Sequence, residues 1–194
     1  MNSICVFCGA NFNGDPLLSD AINQLAEIMT NQNIALVYGG GKVGVMGLLA
    51  DAILSKGGKA EGVLPKFLME KEIAHTGLTK LHVVETMHER KQLMSDLCDG
   101  FVTLPGGLGT MEEFFEVLTW LQLGLHHKPV GILNVNGYYD LLLKQLDVMV
   151  EQRFLKPVNR ELVLSATDPI ELVDMMNNFK VKTDEIWFRD RNLI

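Results

Sequence analysis

Short apolar runs alternate along the chain with longer stretches in which apolar residues recur at helical spacing. Each run is short enough for a β-strand, and most runs are followed by a helical pattern. The predicted strands are residues 3–7, 34–38, 60–64, 81–84, 101–104 and 130–133. Helices are predicted behind Asp15 and Pro16, from Val45 to Lys56, from Met87, after the glycines at 106–109, and over residues 138–151 and 169–178.

Strands that are apolar throughout and alternate with amphipathic helices indicate a parallel sheet covered by helices on both faces. We therefore predict a Rossmann-like, doubly wound α/β fold in a single domain, residues 1–182, followed by a tail at 183–194. Ligands of such sheets bind outside the carboxyl ends of the strands. The loops after Phe7, Tyr38, Val84 and Leu104 are therefore the places to look for chemistry.

Composition narrows the function classes. A net charge of −7 argues against a general nucleic-acid binder, because such proteins carry a basic stripe. The chain has no apolar segment of about 18 to 20 residues and no secretory signal, so we expect a cytoplasmic protein without a membrane partner. Cys5, Cys8 and Cys98 match neither a zinc set nor a disulfide framework, and we expect buried thiols in a reducing compartment.

The strongest motif is PGGLGTMEE at residues 105–113, which follows a predicted strand and opens a predicted helix. Its three glycines let the backbone approach a ligand, and the helix start favours a phosphate there. Thr110 can add a hydroxyl donor. The alternative is a glycine turn capped by Thr110, with Glu112 and Glu113 stabilising the positive helix end. That alternative does not explain why glycines and carboxylates converge at one strand end.

A second glycine-rich loop, GGGKVGVMG at residues 39–47, has the same placement between strand and helix. It lacks the spacing of a phosphate-binding P-loop, and no convincing ribose-binding acid follows the next strand. We expect Gly40 and Gly41 to form part of a nucleotide pocket. A simple turn remains the alternative.

Arg90 and Lys91 lie at the start of the helix that follows the predicted strand 81–84. Arginine offers a planar fork that binds an anion or holds a carboxylate in its ionised form. The alternative is a solvated helix surface on which these bases pair with neighbouring acids. Placement at a strand end favours the functional interpretation.

Together with the segment TMHERK at 86–91, the two glycine loops resemble the Lonely Guy family of cytokinin riboside 5′-monophosphate phosphoribohydrolases. The resemblance runs from CVFCG at 5–9 to GYY at 137–139. It implies a homodimer that acts on a nucleoside 5′-monophosphate, with Arg90 and Glu113 as the catalytic pair. The substrate-binding residues that it implies are Glu72, Lys91, Gly106, Gly107, Leu108, Gly109, Thr110, Met111, Glu112 and Thr119. Leu108 stands where many members have tyrosine.

The hypothesis that follows is hydrolysis of the bond between ribose and base. Breaking this bond builds positive charge on the sugar, which a carboxylate stabilises while it activates water. Glu113 is the candidate, and Arg90 would position it or the leaving base. Glu112 points about 100° away on an ideal helix and is expected to hold a ribose hydroxyl. We expect no metal and no cofactor. The lysine decarboxylase label given to such proteins is rejected, because no Schiff-base lysine with a pyridinium partner is recognisable.

Two rival functions remain open at this point. The same fold could carry a nucleotide or a molybdopterin-like ligand without hydrolysing it, although a carrier has no need for an ionised pair beside its phosphate loop. The enzyme could instead act chiefly on AMP, and the sequence does not separate AMP from N6-modified substrates. The apolar helix at 117–125 is a candidate for part of a dimer interface.

Overall fold

A computed structural model describes residues 1–69 and 74–181. The predicted ligand Glu72 and the predicted tail at 183–194 lie outside the described residues. The strands are β1 Ser3–Phe7, β2 Ala35–Tyr38, β3 Ala60–Pro65, β4 Lys80–Val84, β5 Phe101–Thr103, β6 Val130–Leu133 and β7 Val163–Ala166. The helices are α1 Pro16–Asn31, α2 Gly44–Ser55, α3 Met87–Asp96, α4 Leu108–Leu123, α5 Asp140–Glu151, α6 Pro157–Arg160 and α7 Pro169–Asn177.

The strands form one sheet in the order β4-β3-β2-β1-β5-β6-β7, and every neighbouring pair is parallel. The chain leaves β1 towards β2 on one side and later returns to β5 on the other side of β1. The winding direction therefore reverses at β1, and the crevice between its end and that of β5 is the topological switch point. The predicted single-domain, doubly wound parallel fold is confirmed.

Helices cover both faces of the sheet, because side chains alternate along each strand. In β1, Ile4 and Val6 point into one apolar core, whereas Cys5 and Phe7 point into the other. Side chains of α1, α2 and α7 complete the first core, and those of α3, α4 and α5 complete the second. The predicted three-layer arrangement thus follows from strands that are buried on both faces.

Three of the helices begin with a side-chain cap. Asp15 accepts a hydrogen bond from the Leu17 amide at the start of α1, and Thr86 accepts one from the Glu89 amide at the start of α3. Asp168 caps α7 in the same way. The N-cap residues of α2 and α4, the two helices that follow the glycine loops, make no such bond. The starts of α5 and α6 also lack a side-chain cap, so the missing cap alone does not mark a ligand site.

The sequence prediction missed β7 and the four-residue helix α6, and it placed one helix start too early. β7 is a half-buried edge strand of four residues, too short and too mixed to stand out by its pattern. The predicted helix at 138–151 begins at Asp140, because a 3-10 turn at Val135–Gly137 with Asn136 at φ 52° precedes it. Among the described residues, none of the helices has the length and apolar character needed to cross a membrane.

Candidate active site

A cavity of about 510 Å³ lies at the carboxyl edge of the sheet, at the switch point. Its walls come from the end of β1 and the loop behind it, the end of β2, the glycine loop after β5, and the first turns of α2 and α4. Six of the predicted site residues line it. They are Arg90, Gly106, Gly107, Gly109, Thr110 and Glu113.

The start of α2 is already satisfied within the protein. The Gly9 carbonyl accepts hydrogen bonds from the amides of Val45, at 3.0 Å, and Met46, at 3.4 Å. By contrast, the N-cap residue of α4 is Gly107, which has no side chain, and this helix start lies on the cavity wall. Of the two glycine loops, the one that opens α4 therefore presents helix amides to an anionic ligand.

The glycines of this loop are required for different physical reasons. A Cβ on Gly106 would lie 2.1 Å from Thr110 Oγ1, so packing alone demands glycine there. At Gly107 and Gly109 a Cβ would meet no neighbouring atom within 4 Å. Protein packing does not explain these two glycines, whereas open space over the backbone suits close approach of a ligand.

Arg90 is buried, with 6% of its surface exposed, and is held by the ends of two strands. Its Nε donates to the Val63 carbonyl at 3.1 Å, and its Nη2 donates to the Gly39 carbonyl at 3.0 Å. Gly39 leaves room for the guanidinium, since a Cβ there would lie 2.1 Å from Nη2. The planar fork of arginine is thus fixed in one orientation at the cavity wall.

Glu113 lies on α4, one turn beyond Thr110, with 13% of its side chain exposed. Its Oε1 is 4.0 Å from Nη1 of Arg90, a charge contact that is longer than a hydrogen bond. Among the described residues that line the cavity, Glu113 is the one carboxylate. The structure therefore brings the two predicted catalytic residues together beside the open start of α4.

Cys8 also lines the cavity but is unsuited to act as a nucleophile. Burial raises the pKa of its thiol, and the negative charge of Glu113 raises it further, while Arg90 acts in the opposite direction. Only the thiolate is a good nucleophile, so this cysteine stays inert at neutral pH. Among the described residues that line the cavity, the charged groups are the Glu113 carboxylate and the Arg90 guanidinium, and the hydroxyls of Thr110 and Tyr138 lie beside them.

The remaining predicted site residues lie elsewhere. Lys91 Nζ is 2.5 Å from a carboxylate oxygen of Glu112 and 2.9 Å from one of Glu116. Lys91 and Glu116 line a second surface cavity, which lies between α3 and α4. Leu108 is 90% exposed, and the Thr119 hydroxyl donates to the Phe115 carbonyl of its own helix. Met111, half-buried, is not among the described residues that line the cavity. Substrate contacts by Lys91, Leu108, Met111, Glu112 and Thr119 stay predictions.

Gly40 and Gly41 do not line the cavity among the described residues, whereas the preceding Gly39 does. The Gly40 carbonyl accepts from the His75 amide at 3.0 Å, and the Gly41 carbonyl accepts from the Tyr38 hydroxyl at 3.2 Å. Through these hydrogen bonds, both glycines hold the loop against adjacent residues of the same chain. Their role in substrate binding also stays a prediction.

Sequence reasoning gave no substrate or catalytic role to several residues that line this cavity, among them Cys8, Gly9 and Tyr138. Gly9 and Cys8 close β1, and Tyr138 lies on the cavity wall behind β6. The segments CVFCG and GYY carried the family resemblance, which was the available signal. The first segment enters the loop after Phe7, which was expected at the ligand-binding edge of the sheet, whereas nothing local to Tyr138 indicates that it meets the glycine loop in space.

The chain is similar to proteins of known description. A family described as possible lysine decarboxylase matches residues 46–176. A cytokinin riboside 5′-monophosphate phosphoribohydrolase of Arabidopsis thaliana is 44% identical over 183 residues, covering 94% of this chain and 84% of the relative. Another enzyme of that name from the same plant is 43% identical over 188 residues, covering 97% and 82% of the two chains.

Solved structures of more distant proteins share the fold. A molybdenum cofactor binding protein from Rippkaea orientalis matches with a TM-score of 0.64 at 22% identity, covering 90% of this chain and 94% of its own. The molybdenum cofactor carrier protein of Chlamydomonas reinhardtii matches with a TM-score of 0.66 at 20% identity, covering 90% and 96%. At this identity the likeness shows the fold alone.

Proposed function

The chain belongs to the family of cytokinin riboside 5′-monophosphate phosphoribohydrolases, and from this premise we propose that it hydrolyses the N-glycosidic bond of nucleoside 5′-monophosphates. The products are the free base, of cytokinin or adenine type, and ribose 5-phosphate. The observation that carries the proposal is the Arg90–Glu113 pair, which shares one cavity with the open start of α4.

The site orders the substrate from its phosphate inward. The 5′-phosphate fits the amides at Gly107, Gly109 and Thr110, where the helix dipole favours negative charge. Glu113 follows one turn later on the same helix, so its carboxylate faces the cavity in which the phosphate is held. Binding the phosphate at one end fixes the anomeric carbon of the ribose relative to this carboxylate.

The proposed reaction uses Glu113 against the charge that builds on the ribose. As the bond from C1′ to the base nitrogen breaks, its electron pair leaves with the base, which takes up a proton from solvent, and Glu113 afterwards returns to solvent the proton that it gains. The carboxylate stabilises the oxocarbenium character of the sugar and accepts a proton from the water that attacks C1′. Arg90, anchored on two backbone carbonyls, holds the carboxylate in place.

The description of the matching family as possible lysine decarboxylases does not fit this site. A pyridoxal-phosphate decarboxylase needs a lysine for the Schiff base. None of the described residues that line the cavity is lysine, and the ammonium of Lys91 is engaged by Glu112 and Glu116 outside it. We therefore propose no decarboxylation.

The carrier alternative is weaker for an electrostatic reason. A carboxylate beside a bound phosphate repels it, which lowers the affinity that a carrier needs. A hydrolase benefits from the same carboxylate, because its charge stabilises the transition state more than the bound nucleotide. Glu113 in the cavity therefore favours the enzyme.

The test is incubation of the purified protein with AMP and with isopentenyladenosine 5′-monophosphate, following the free base by chromatography. The corresponding nucleosides without phosphate are run alongside. We expect base release from the monophosphates only, and the ratio of the two rates gives the substrate preference. Glu113→Gln should abolish release but retain nucleotide binding, whereas Glu171→Gln, the same change on the exposed start of α7, should retain both.

Failure would take two distinguishable forms. Nucleotide binding without base release by the unmodified protein would refute the hydrolase and favour a carrier. Base release that persists in Glu113→Gln would refute the role of Glu113 alone.

We further propose a homodimer formed through α4 and the neighbouring surface of α3. This face exposes Leu108 and Phe115, and Trp120 lines its cavity of about 500 Å³. Apolar side chains exposed together on one face are typical of an interface. Light scattering should give twice the mass of the chain, and Phe115→Asp should shift the protein to the monomer. A monomeric mass for the unmodified protein would refute the dimer.

A cytoplasmic location is also proposed. Cys5, Cys8 and Cys98 are free thiols buried in the fold, which suits a reducing compartment. Fractionation of the source cells followed by detection of the protein tests this directly.

A further inference from the structure

The loop that enters α4 has three consecutive backbone carbonyls, and each accepts a hydrogen bond from a defined donor. The Leu104 carbonyl accepts from the Tyr139 hydroxyl at 2.7 Å, and the Gly106 carbonyl accepts from the Tyr138 hydroxyl at 2.7 Å. Between them, the Pro105 carbonyl accepts from the Gly9 amide at 3.1 Å. An anion-binding loop must keep such carbonyls away from the anion and its amides towards it.

The peptide between Gly106 and Gly107 matters most for this orientation. In a trans peptide the carbonyl and the following N–H point in opposite directions, so the direction of the Gly106 carbonyl sets that of the Gly107 amide. Glycine on both sides leaves this peptide easier to rotate than any peptide flanked by side chains. A rotated peptide would turn its carbonyl towards the phosphate and remove one donor.

Tyr138 is held in place for this contact even though 55% of it is exposed. Its ring packs edge-to-face on Tyr139, with centroids 4.8 Å apart. The Tyr139 amide donates to the Asn134 side chain at 2.7 Å, and Asn134 donates in turn to Asp140 at 2.7 Å. An exposed ring contributes little to the apolar core. Tyr138 instead lines the cavity and donates a hydrogen bond to the loop.

We propose that Tyr138 is a positioning residue for phosphate recognition, an inference that rests on the proposed function. Its hydroxyl holds the Gly106–Gly107 peptide with the Gly107 amide towards the 5′-phosphate. The ligand class that depends on this contact is the phosphomonoester, because the base and the sugar hydroxyls make no use of that amide.

The test is Tyr138→Phe, which removes the hydroxyl and retains the ring. Calorimetry with inorganic phosphate and with ribose 5-phosphate should show an affinity about tenfold lower, the effect of losing one hydrogen bond to a charged group. The KM for AMP should rise by a similar factor, while kcat stays within about twofold, since the bound substrate meets the same Glu113. The melting temperature should change little, because the lost bond is at the surface.

Tyr139→Phe is the matched control. Its hydroxyl is buried, donates to the Leu104 carbonyl and accepts from the Gly106 amide, so it contacts the two peptides that precede the Gly106–Gly107 peptide and not that peptide itself. We expect Tyr139→Phe to lower the melting temperature more than Tyr138→Phe does. We expect it to lower the phosphate affinity less than Tyr138→Phe does. Equal losses of phosphate affinity in both variants would overturn the inference, since they would indicate general loosening of the loop.

The remaining outcomes are equally decisive. Unchanged phosphate affinity in Tyr138→Phe, or no binding of either phosphate ligand by the unmodified protein, would also overturn the inference. Calorimetry requires no turnover, so a loss confined to Tyr138→Phe would uphold it even in a protein that releases no base. That combination would refute the proposed hydrolase and leave the phosphate site standing.

Discussion

Adjacent glycines in the α4 loop are required for different physical reasons. Gly106 has no room for a side chain, because a Cβ would collide with Thr110. Gly107 and Gly109 have room, and an added methyl group would project into open space over the backbone. The first residue serves packing, and the other two serve the approach of a ligand.

This distinction gives opposite expectations for two alanine substitutions. Gly109→Ala should leave the free energy of unfolding unchanged or raise it by up to about 1 kcal/mol, because alanine is the better helix former. Gly106→Ala should lower the free energy of unfolding by about 1 to 3 kcal/mol through overpacking. Urea unfolding of both variants measures these changes.

Activity should separate the same two variants in another way. Gly109→Ala is expected to raise the KM for AMP by about tenfold despite its unimpaired stability, because the methyl group occupies space needed by the phosphate. A stable Gly109→Ala variant with an unchanged KM would show that the phosphate does not approach this residue.

At the scale of elements, Lys91 links α3 to two acidic residues one turn apart on α4. Burial by itself lowers the pKa of this ammonium, but its hydrogen bonds to Glu112 and Glu116 and their negative charges prevail and raise it. A raised pKa in the folded state means that the charged lysine stabilises the fold. The triad therefore helps to hold α3, which positions Arg90, against α4, which positions Glu113.

The pH dependence of this contribution has a definite sign. It is fully present below the unfolded-state pKa of lysine, about 10.4, and is lost as pH rises through the higher folded-state value. The unmodified protein should exceed Lys91→Met in free energy of unfolding by about 1 kcal/mol near neutral pH. That difference should shrink at strongly alkaline pH, as measured by urea unfolding.

Lys144→Met provides the comparison, since Lys144 is an exposed lysine on α5. The free energy of unfolding of Lys144→Met should be close to that of the unmodified protein both near neutral pH and at strongly alkaline pH. If the difference in free energy of unfolding between the unmodified protein and Lys91→Met stays constant through the alkaline range, the lysine contributes by packing and not by charge.

At the scale of the whole molecule, all three cysteines are buried, and Cys8 borders the cavity. Burial, followed by a hydrogen bond with Cys98, raises the pKa of Cys5, and burial also raises that of Cys8. Reaction with a thiol reagent needs both access and a thiolate. Cys5 and Cys98 therefore lack access until the sheet opens, and Cys8, which borders the cavity, lacks the thiolate because its pKa is raised.

A thiol titration at mildly alkaline pH should find no rapidly reacting cysteine in the native protein and all three of them in concentrated urea. The labelling rate in dilute urea should follow global unfolding measured by circular dichroism. One thiol that reacts quickly under native conditions would reveal local opening, and mass spectrometry of the labelled peptide would identify it.

The sequence by itself determined the layered fold and the neighbourhood of the site. Continuous apolar strands require cover on both faces, and this demand is visible in local hydrophobic periodicity. The glycine motif and Arg90 each follow a strand, so both were expected at the carboxyl edge of the sheet. The strands β4 and β5 that precede them are separated by three other strands, so the sequence predicted the edge on which the site lies, and the tertiary structure decided that Arg90 reaches the motif.

Only the tertiary structure decided which motif residues share the cavity. Glu113 faces it and Glu112 pairs with Lys91 outside it, although the two are neighbours in the sequence. Likewise, the Gly9 carbonyl occupies the start of α2, and the Tyr138 hydroxyl orients the loop before α4. The contacts of Gly9 and Tyr138 join residues at least 32 positions apart. Local pattern reports burial and helical phase, whereas hydrogen bonds across strand ends depend on how the layers pack.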